Sequence, residues 1–278
     1  MPNYRAPTRD IQFAMHEVLS MADHYKTLNG CEDIDLETIN AILEEASKFS
    51  ENELAPLNTV GDEVGCVWNE SAVTTPPGFK QAYAKYVEGG WPSMSHNPEF
   101  GGQGLPESLG TMINELSGTA NWSWSMYPGL SHGAMNTIET HGTQLQKEKY
   151  LLPLVEGRWT GTMCLTESHC GTDLGLLRTK AEPQADGSYA LTGTKIFISA
   201  GEHDMVENIV HIVLARLPGA PEGTKGISLF IVPKVNVNDD GSLGQRNQVK
   251  CGSIEHKMGI HGNATCVMNF DGAKGYLI

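Results

Sequence analysis

The sequence predicts an α+β fold, in which an all-α N-terminal half precedes a mostly antiparallel, β-barrel-like half. Two observations support this prediction. Apolar residues recur with helical spacing over roughly the first 155 residues. After Gly157, short runs rich in β-branched and aromatic residues are separated by turn residues, without the alternating helices that a parallel sheet needs. We therefore expect a helical domain over residues 1–157 and a β domain over residues 158–278.

Six segments of the first half have the apolar spacing of a helix. The first covers residues 11–25, and the second covers residues 36–49, with Asp35 as its expected N-cap and Pro56 beyond its end. The other four cover residues 79–87, 109–116, 131–141 and 144–155. Gly89 after the third segment and Thr143 before the sixth are typical of helix ends.

Seven short runs of the second half are typical of strands. They cover residues 158–166, 178–182, 189–192, 195–199, 208–217, 226–233 and 265–270. Asp186-Gly187 lies between two of these runs and predicts a tight hairpin turn. Because tight turns join antiparallel neighbours, the pattern favours a mostly antiparallel sheet.

Composition excludes several classes of protein. Hydrophobic residues make up 40% of the 278 residues and charged residues 19%, which is typical of a globular chain and not of a disordered one. The formal net charge of −14 argues against a protein that coats nucleic acid or an anionic membrane. No window approaches the roughly 18 consecutive apolar residues that a spanning helix needs. We therefore expect neither nucleic-acid binding nor a membrane span.

Cysteine usage and the chain ends suggest the cellular setting. None of the six cysteines forms a C-x-x-C pair, which argues against a zinc ribbon or a thioredoxin-like redox motif. Because the N-terminal stretch also lacks the apolar core of a secretory signal, we expect reduced thiols in a cytoplasmic protein. The last residues, Leu277-Ile278, closely follow a strand-like run. We expect the chain to be part of a longer protein.

Common ligand-binding fingerprints are missing from the sequence. Neither G-x-G-x-x-G nor the P-loop pattern occurs, and the glycine-rich run at 101–104 matches neither of them. Among ten histidines, the pairs His132 with His141 and His256 with His261 lack both metal-ligand spacing and a carboxylate companion at a diagnostic offset. We therefore predict no metal site.

The segment from Met163 to Gly175 is the strongest candidate for a ligand site. It begins on a strand and breaks into a polar loop, where Thr166 and Thr172 offer hydroxyl donors. Gly171 has no side chain and permits a ligand to approach backbone N–H groups closely. A strand followed by an ordinary turn has the same composition, so the residues alone leave both interpretations open.

This segment resembles the first signature of the acyl-CoA dehydrogenase family, which here reads Cys-Leu-Thr-Glu-Ser-His-Cys-Gly-Thr-Asp over residues 164–173. A second family element, a lysine followed by an aromatic residue and a hydroxyl residue, appears as Lys-Ile-Phe-Ile-Ser at 195–199. Residues 255–265 resemble a third family segment, and residues 98–106 resemble part of the family's helical domain. The opening at 4–10 and the long first helices are similar to the larger-subunit branch that includes the 3-methylmercaptopropionyl-CoA dehydrogenases.

The resemblance implies a flavoprotein. In the family, FAD lies between the β domain and a helical C-terminal domain, which we expect to be absent from these 278 residues. The cofactor-binding residues would be Met163, Leu165, Thr166, Gly171, Thr172, Phe197, Ile198 and Ser199. Thr172 would also approach the acyl-CoA substrate. Phe197 would form an apolar wall beside the flavin ring, and the Ser199 hydroxyl would lie near flavin N5.

The implied reaction is α,β-dehydrogenation of an acyl-CoA thioester. In the family, a glutamate of the C-terminal domain removes the α proton, so the base is expected beyond Ile278 and is not Glu167. We therefore expect this chain by itself to be inactive and to bind FAD weakly. The resemblance also implies that the full-length enzyme is a homo-oligomer that passes electrons to an electron-transfer flavoprotein.

Four positions depart from the family pattern: Ser168 replaces a proline, Cys170 occupies the small-residue position, Phe197 replaces a tryptophan, and His261 replaces an arginine. The last change would remove a cation that is structural or lies on the CoA side. These departures weaken the substrate assignment more than the flavin assignment. Two alternatives therefore stay open: an acyl-CoA oxidase or flavin monooxygenase of the same fold, and a non-catalytic acyl-CoA-binding module.

Overall fold

The computed structural model of the chain describes residues 4–278. The first three residues of the N-terminal stretch, in which we find no secretory signal, lie outside this range. Helices form most of the first half: α1 Thr8–Phe13, α2 Met21–Tyr25, α3 Leu36–Phe49, α4 Ala55–Val64, α5 Phe79–Glu88, α6 Glu107–Ala120, α7 Trp122–His141, α8 Gln144–Gln146 and α9 Leu152–Val155. Wider π-helical turns at Ala14–Val18, Ser50–Leu54 and Lys147–Leu151 lie between some of them.

Two of the predicted helices have different bounds in the structure. The segment 11–25 is not one helix, because Ser20 adopts a left-handed conformation with φ of 49° and separates α1 from α2. Pro56 does not lie beyond a helix end, since the π turn at Ser50–Leu54 connects α3 directly to α4. Pro56 sits in the first turn of α4, directly after this π turn.

The long helix α7 is the main contact between the two halves. It begins well before the predicted segment 131–141, because the Asn121 side chain accepts a hydrogen bond from the Trp124 N–H and caps it. At β3, Gly161 lies directly against Ala134 of this helix and donates its N–H to the Ser131 hydroxyl at 3.0 Å. Any larger residue at position 161 would collide with the helix.

The strands are β1 Val67–Asn69, β2 Ala72–Thr74, β3 Trp159–Cys164, β4 Lys180–Pro183, β5 Tyr189–Ser199, β6 Asn208–Arg216, β7 Ile227–Pro233, β8 Val235–Val237, β9 Leu243–Arg246, β10 Val249–Ile254 and β11 Thr265–Leu277. The hairpin of β1 and β2 lies inside the helical half and was not predicted, and neither were β8, β9 and β10. The predicted strands 189–192 and 195–199 are one strand, β5.

The second half is a barrel. Strands β5, β4, β6, β7 and β11 pair in a closed ring, because the long strand β11 pairs with β5 along most of its length and with β7 at its end. Strand β10 extends the ring beside β11, and β3 extends it beside β6. The pairs β3–β6 and β4–β6 are parallel and the others are antiparallel. This arrangement confirms the predicted α+β fold and its barrel-like second half.

Apolar side chains fill the barrel and the space between the barrel and the helices. The interior cluster includes Leu191, Val213, Phe230 and Met268. A second cluster joins α7 and α9 to β3 and β6. All six cysteines are free. None of the helices over residues 4–278 combines the length and apolar character needed to cross a membrane.

Candidate functional site

The first signature segment forms a tight loop after β3. Glu167 and Cys170 exchange two backbone hydrogen bonds, of 2.8 Å from the Glu167 N–H and 3.1 Å from the Cys170 N–H. The turn between them returns the chain towards Thr166. Gly171 then lies so close to Thr166 that an added Cβ would be 3.3 Å from the Thr166 methyl carbon. The glycine is needed here for a close approach within the loop.

The second signature segment contains a β-bulge. Ile198 pairs with Cys266 and Lys195 pairs with Met268, so Ile196 and Phe197 together face the single residue Val267 of β11. Phe197 has φ of 57°, a left-handed conformation that bulky residues rarely adopt. Its ring is 51% exposed. Bulges re-aim side chains beside functional sites, and strained backbone is enriched there.

Lys195 holds the two signature segments together. The Ile196 N–H donates to the Thr166 carbonyl at 2.9 Å. The residue before Ile196 is Lys195, which is fully buried. Its ammonium donates to the Leu165 carbonyl at 3.1 Å and to the Glu167 carboxylate at 2.9 Å. The loop that carries the threonines is therefore fixed relative to the strand that carries Phe197 and Ser199.

The buried Glu167 carboxylate accepts four hydrogen bonds. The backbone N–H groups of Arg178 and Thr179 and the Thr179 hydroxyl donate to it, besides Lys195. Burial by itself raises the pKa of Glu167, but these donors outweigh burial and lower the pKa to about 2. Burial lowers the pKa of Lys195 more than the neighbouring Glu167 raises it. The buried lysine thus depends on its carboxylate partner.

Arg216 fixes the far end of the same loop. Its guanidinium donates to the carbonyl oxygens of Leu177 at 2.7 Å and of Gly175 at 2.8 Å. It also donates to the carbonyl oxygens of Pro221 and Gly223, in the loop that precedes β7. The planar group can bridge four carbonyls because it carries five N–H donors.

The structure brings most of the predicted cofactor-binding residues to one region. Met163, Thr172 and Phe197 are exposed, and Leu165, Thr166, Gly171 and Ser199 are partly exposed. Ile198 is different: its side chain is only 2% exposed and packs in the barrel interior. The bulge turns Phe197 outwards and Ile198 inwards, so only the backbone of Ile198 is open to a ligand.

The third family-like segment also reaches this region. Thr265 pairs with Ser199 across β11 and β5. Upstream of it, the Lys257 ammonium lies 5.8 Å from the centre of the Phe197 ring, within the range of a cation–π contact. Met258 next to it is fully exposed.

One group of metal-ligand types lies in the first signature loop. Glu167, His169 and Cys170 each offer one possible ligand atom, and these three atoms lie within 4.8 Å of one another. The Glu167 carboxylate is occupied by its donors, and His169 Nε2 lies 3.0 Å from the Leu176 carbonyl oxygen. Two of the three groups, Glu167 and His169, therefore already have partners within the protein.

Sequence reasoning missed the roles of Lys195, Glu167 and Lys257. The available signal was their position inside the quoted motifs: a lysine within a β-rich run is rarely buried unless it is paired. Glu167 lies in the other motif and was the obvious candidate partner. Nothing in the sequence places Lys257 over Phe197, because that contact depends on how β11 pairs with β5.

Comparison with known proteins covers both halves. The family model of the acyl-CoA dehydrogenase N-terminal domain matches residues 37–158, and that of the middle domain matches residues 162–273. The 3-methylmercaptopropionyl-CoA dehydrogenase of Ruegeria pomeroyi is 46% identical over 275 residues, covering 99% of this chain and 47% of that protein. A butyryl-CoA dehydrogenase of Syntrophomonas wolfei is 38% identical over 288 residues, covering 99% of this chain and 46% of that protein. The chain spans about half the length of these relatives.

Solved structures share the fold. Butyryl-CoA dehydrogenase from Megasphaera elsdenii superposes with a TM-score of 0.66 at 28% identity, over 85% of this chain and 56% of that chain. A chain of a structure described as the electron transferring flavoprotein of Acidaminococcus fermentans gives a TM-score of 0.68 at 27% identity, over 85% of this chain and 55% of that chain. An acyl-CoA dehydrogenase complexed with FAD from Bacillus anthracis has the same fold, with a TM-score of 0.67 at 24% identity, over 90% of this chain and 38% of that chain. The motif-based prediction is confirmed: the chain belongs to the acyl-CoA dehydrogenase family.

Proposed function

We propose that this chain forms the flavin and acyl-CoA side of an FAD-dependent acyl-CoA dehydrogenase. The observation that carries the proposal is the bulge at Phe197, which presents a strained, half-exposed aromatic ring beside a loop of hydroxyl groups. Such an arrangement adds little stability to the protein, because the ring is half-exposed and the left-handed conformation costs about 1–2 kcal/mol. A planar ligand placed against the ring would account for it.

The residues present suit a flavin. Phe197 and Met163 offer exposed apolar surface to a flat ring, while Thr166, Thr172 and Ser199 offer hydroxyl groups that donate to its oxygen and nitrogen atoms. Ile198 would take part through its backbone only. Lys195 and Glu167 fix the spacing between the two sets of groups by the contacts described above.

In the proposed reaction, some roles belong to residues of this chain and others to FAD and to a base outside the chain. When bound, FAD supplies the acceptor for the β hydride at N5. Within this chain, Thr172 is the exposed hydroxyl that would approach the acyl-CoA, and Ser199 would hydrogen-bond near N5. Glu167 is not the base that removes the α proton, because it is buried and already holds Lys195 and Thr179. We place that base beyond Ile278.

The remaining features of the whole enzyme belong to the same proposal. We propose a cytoplasmic homo-oligomer in the fatty acid metabolism of its cell, with an electron-transfer flavoprotein as its electron acceptor. The likeness to a chain in the Acidaminococcus electron transferring flavoprotein structure supports this choice of acceptor.

Dye reduction tests how the chemistry is divided. The purified 278-residue chain, supplied with FAD and an acyl-CoA, is expected to give no acyl-CoA-dependent reduction of an artificial electron acceptor. The same preparation is expected to bind FAD weakly, measured by the change in flavin fluorescence. Turnover by this chain would contradict the placement of the base beyond Ile278, whereas tight retention of yellow flavin would contradict the expectation that the chain holds only part of the flavin cleft.

A further inference from the structure

His261 lies between two backbone carbonyl groups. Its Nδ1 is 3.0 Å from the Asp62 carbonyl oxygen, and its Nε2 is 2.7 Å from the Lys257 carbonyl oxygen. A carbonyl oxygen only accepts hydrogen bonds, so both contacts are favourable only when both ring nitrogens carry hydrogen. The geometry therefore fits the imidazolium cation and not the neutral ring, which has one donor.

The electrostatic surroundings also favour the cation. Asp62 lies in the last turn of α4, where the helix dipole stabilises positive charge, and its carboxylate is 3.0 Å from Nδ1. The other charged side chain that lines the same surface depression is Glu63 of α4. Lys257 contacts the imidazole through its backbone carbonyl, while its ammonium lies over the Phe197 ring. From α7, Trp122 and Ser123 line the depression and carry no charge.

The backbone around His261 forms a compact junction between the two halves. The Cys66 N–H donates to the His261 carbonyl at 3.0 Å, just after α4 ends. Ile260 has φ of 54°, which is unusual for a β-branched residue. On the other side, the Tyr127 hydroxyl of α7 donates to the Gly262 carbonyl at 3.1 Å and accepts from the Ala264 N–H at 3.1 Å. Strained backbone of this kind persists only where its surroundings hold it.

We infer that protonated His261 is a clasp that joins the end of α4 to residues 255–264, and that loss of its proton loosens this segment. The segment carries Lys257, whose ammonium lies over the Phe197 ring. His261 is thus a positioning residue for the face where we propose that flavin binds. That consequence rests on the proposed function, whereas the clasp itself does not.

The expected pH dependence follows from the direction of the pKa shift. Hydrogen bonds to the backbone of Lys257 and Asp62, helped by the charge of Asp62, raise the pKa of His261 above its ordinary value of 6.5. A raised pKa means that the folded chain holds the proton more tightly than the unfolded chain does. The clasp therefore stabilises the fold fully below about pH 6.5, and this stabilisation is lost as the pH rises through the raised pKa of His261.

NMR on the 278-residue chain tests the clasp without FAD. The His261 ring signal should titrate above pH 6.5, and the hydrogen-exchange protection factor of the Cys66 amide should fall over the same pH range. In His261→Arg, the permanent cation should make the protection factor of the Cys66 amide independent of pH. In His261→Gln, the protection factor of the Cys66 amide should be low over the whole pH range. His256→Gln, at an exposed position five residues earlier, is the control and should behave like the wild type.

Two results would overturn the clasp: titration of His261 at or below its ordinary pKa, or the same pH profile of Cys66 protection in the wild type and His261→Arg. The positioning role has its own test. The Phe197 ring signals should shift with the His261 titration in the wild type and not in His261→Arg. If the Phe197 ring signals stay constant while His261 titrates, His261 does not position Phe197. Neither measurement depends on whether the chain binds FAD.

Discussion

At the scale of single residues, Phe197 has an unfavourable left-handed backbone conformation and a side chain that is only half buried. Its φ of 57° is one that glycine adopts freely, and its ring is 51% exposed. Residues of this kind are retained for what they contact and not for stability. We therefore expect stability and ligand binding to respond in opposite directions when Phe197 is changed.

Phe197→Gly should leave the free energy of unfolding unchanged or raise it by about 1 kcal/mol, because glycine relieves the left-handed conformation. The same change should weaken FAD binding, because the apolar wall is lost. Denaturant titration and flavin fluorescence measure the two effects. Glu70→Gly is the matched control: Glu70 also has positive φ, of 46°, in the turn between β1 and β2, so its change should relieve strain without altering FAD binding. A loss of several kcal/mol in Phe197→Gly would show that the ring is structural.

Glu167→Gln should be strongly destabilising, since it leaves the buried Lys195 ammonium without its counter-charge. Breaking a buried pair costs about 3–5 kcal/mol. Lys274→Met, which breaks the exposed ion pair with Asp186 at 2.7 Å, is the control and should cost about 1 kcal/mol or less. Urea denaturation compares the two variants with the wild type. Equal effects would mean that the buried pair does not hold the signature loop.

The pH dependence of the Glu167 contribution follows from its lowered pKa. Because the folded pKa of about 2 is below the ordinary 4.5, the contribution is complete above about pH 4.5 and disappears as the pH falls through 2. The stability difference between the wild type and Glu167→Gln should therefore narrow across that acid range. A difference that stays constant from neutral pH down to pH 2 would contradict the assignment.

At the scale of secondary structure elements, the packing of α7 on β3 depends on one missing side chain. Gly161 of β3 lies against Ala134, and its N–H is bonded to Ser131. No rotamer change can make room there, since an alanine side chain has no freedom to move aside. The contact sets how closely the helical half approaches the barrel.

Gly161→Ala should destabilise the chain by about 1–3 kcal/mol through overpacking. Gly133→Ala on the exposed side of α7 meets nothing within 4 Å and should stabilise it by up to about 1 kcal/mol, because alanine favours the helix. Chemical denaturation of both variants provides the measurement. If Gly161→Ala proves neutral, the two halves pack less closely than described.

The limits of sequence-based prediction are also clearest at this scale. Helix α5 was predicted because a regular apolar face is followed by Gly89. The hairpin of β1 and β2 was missed because its turn uses Glu70 and Ser71, both at positive φ, in place of the Asn-Gly pair that usually marks such turns. The runs 189–192 and 195–199 were predicted as two strands, whereas they form the single strand β5, in which Gly193 lets Thr179 pack closely.

In the candidate site, too, some features could be predicted from the sequence and others could not. The motifs name Thr166, Thr172, Phe197 and Ser199 because these residue types stand at fixed offsets in the chain. The bulge at Phe197 depends on the register between β5 and β11, two strands that are far apart in the chain, so no short motif reveals it. The inward position of Ile198 follows from that bulge and could not be predicted.

At the scale of the whole molecule, the structure is a helical layer packed on a closed barrel. The two parts meet where α7 covers β3 and where the end of α4 and Cys66 after it contact His261 and Gly262. The candidate flavin face lies at the ends of β3 and β5, beside this second junction. The chain covers about half the length of these relatives.

The most direct test of the central claim is a titration of the 278-residue chain with FAD, followed by NMR, which detects weak binding. We predict chemical-shift changes at Thr166, Thr172, Phe197 and Ser199, with none at the groove between α3 and α5 around Trp91. Saturating FAD that leaves those four residues unchanged, or that shifts the signals around Trp91 instead, would contradict the account.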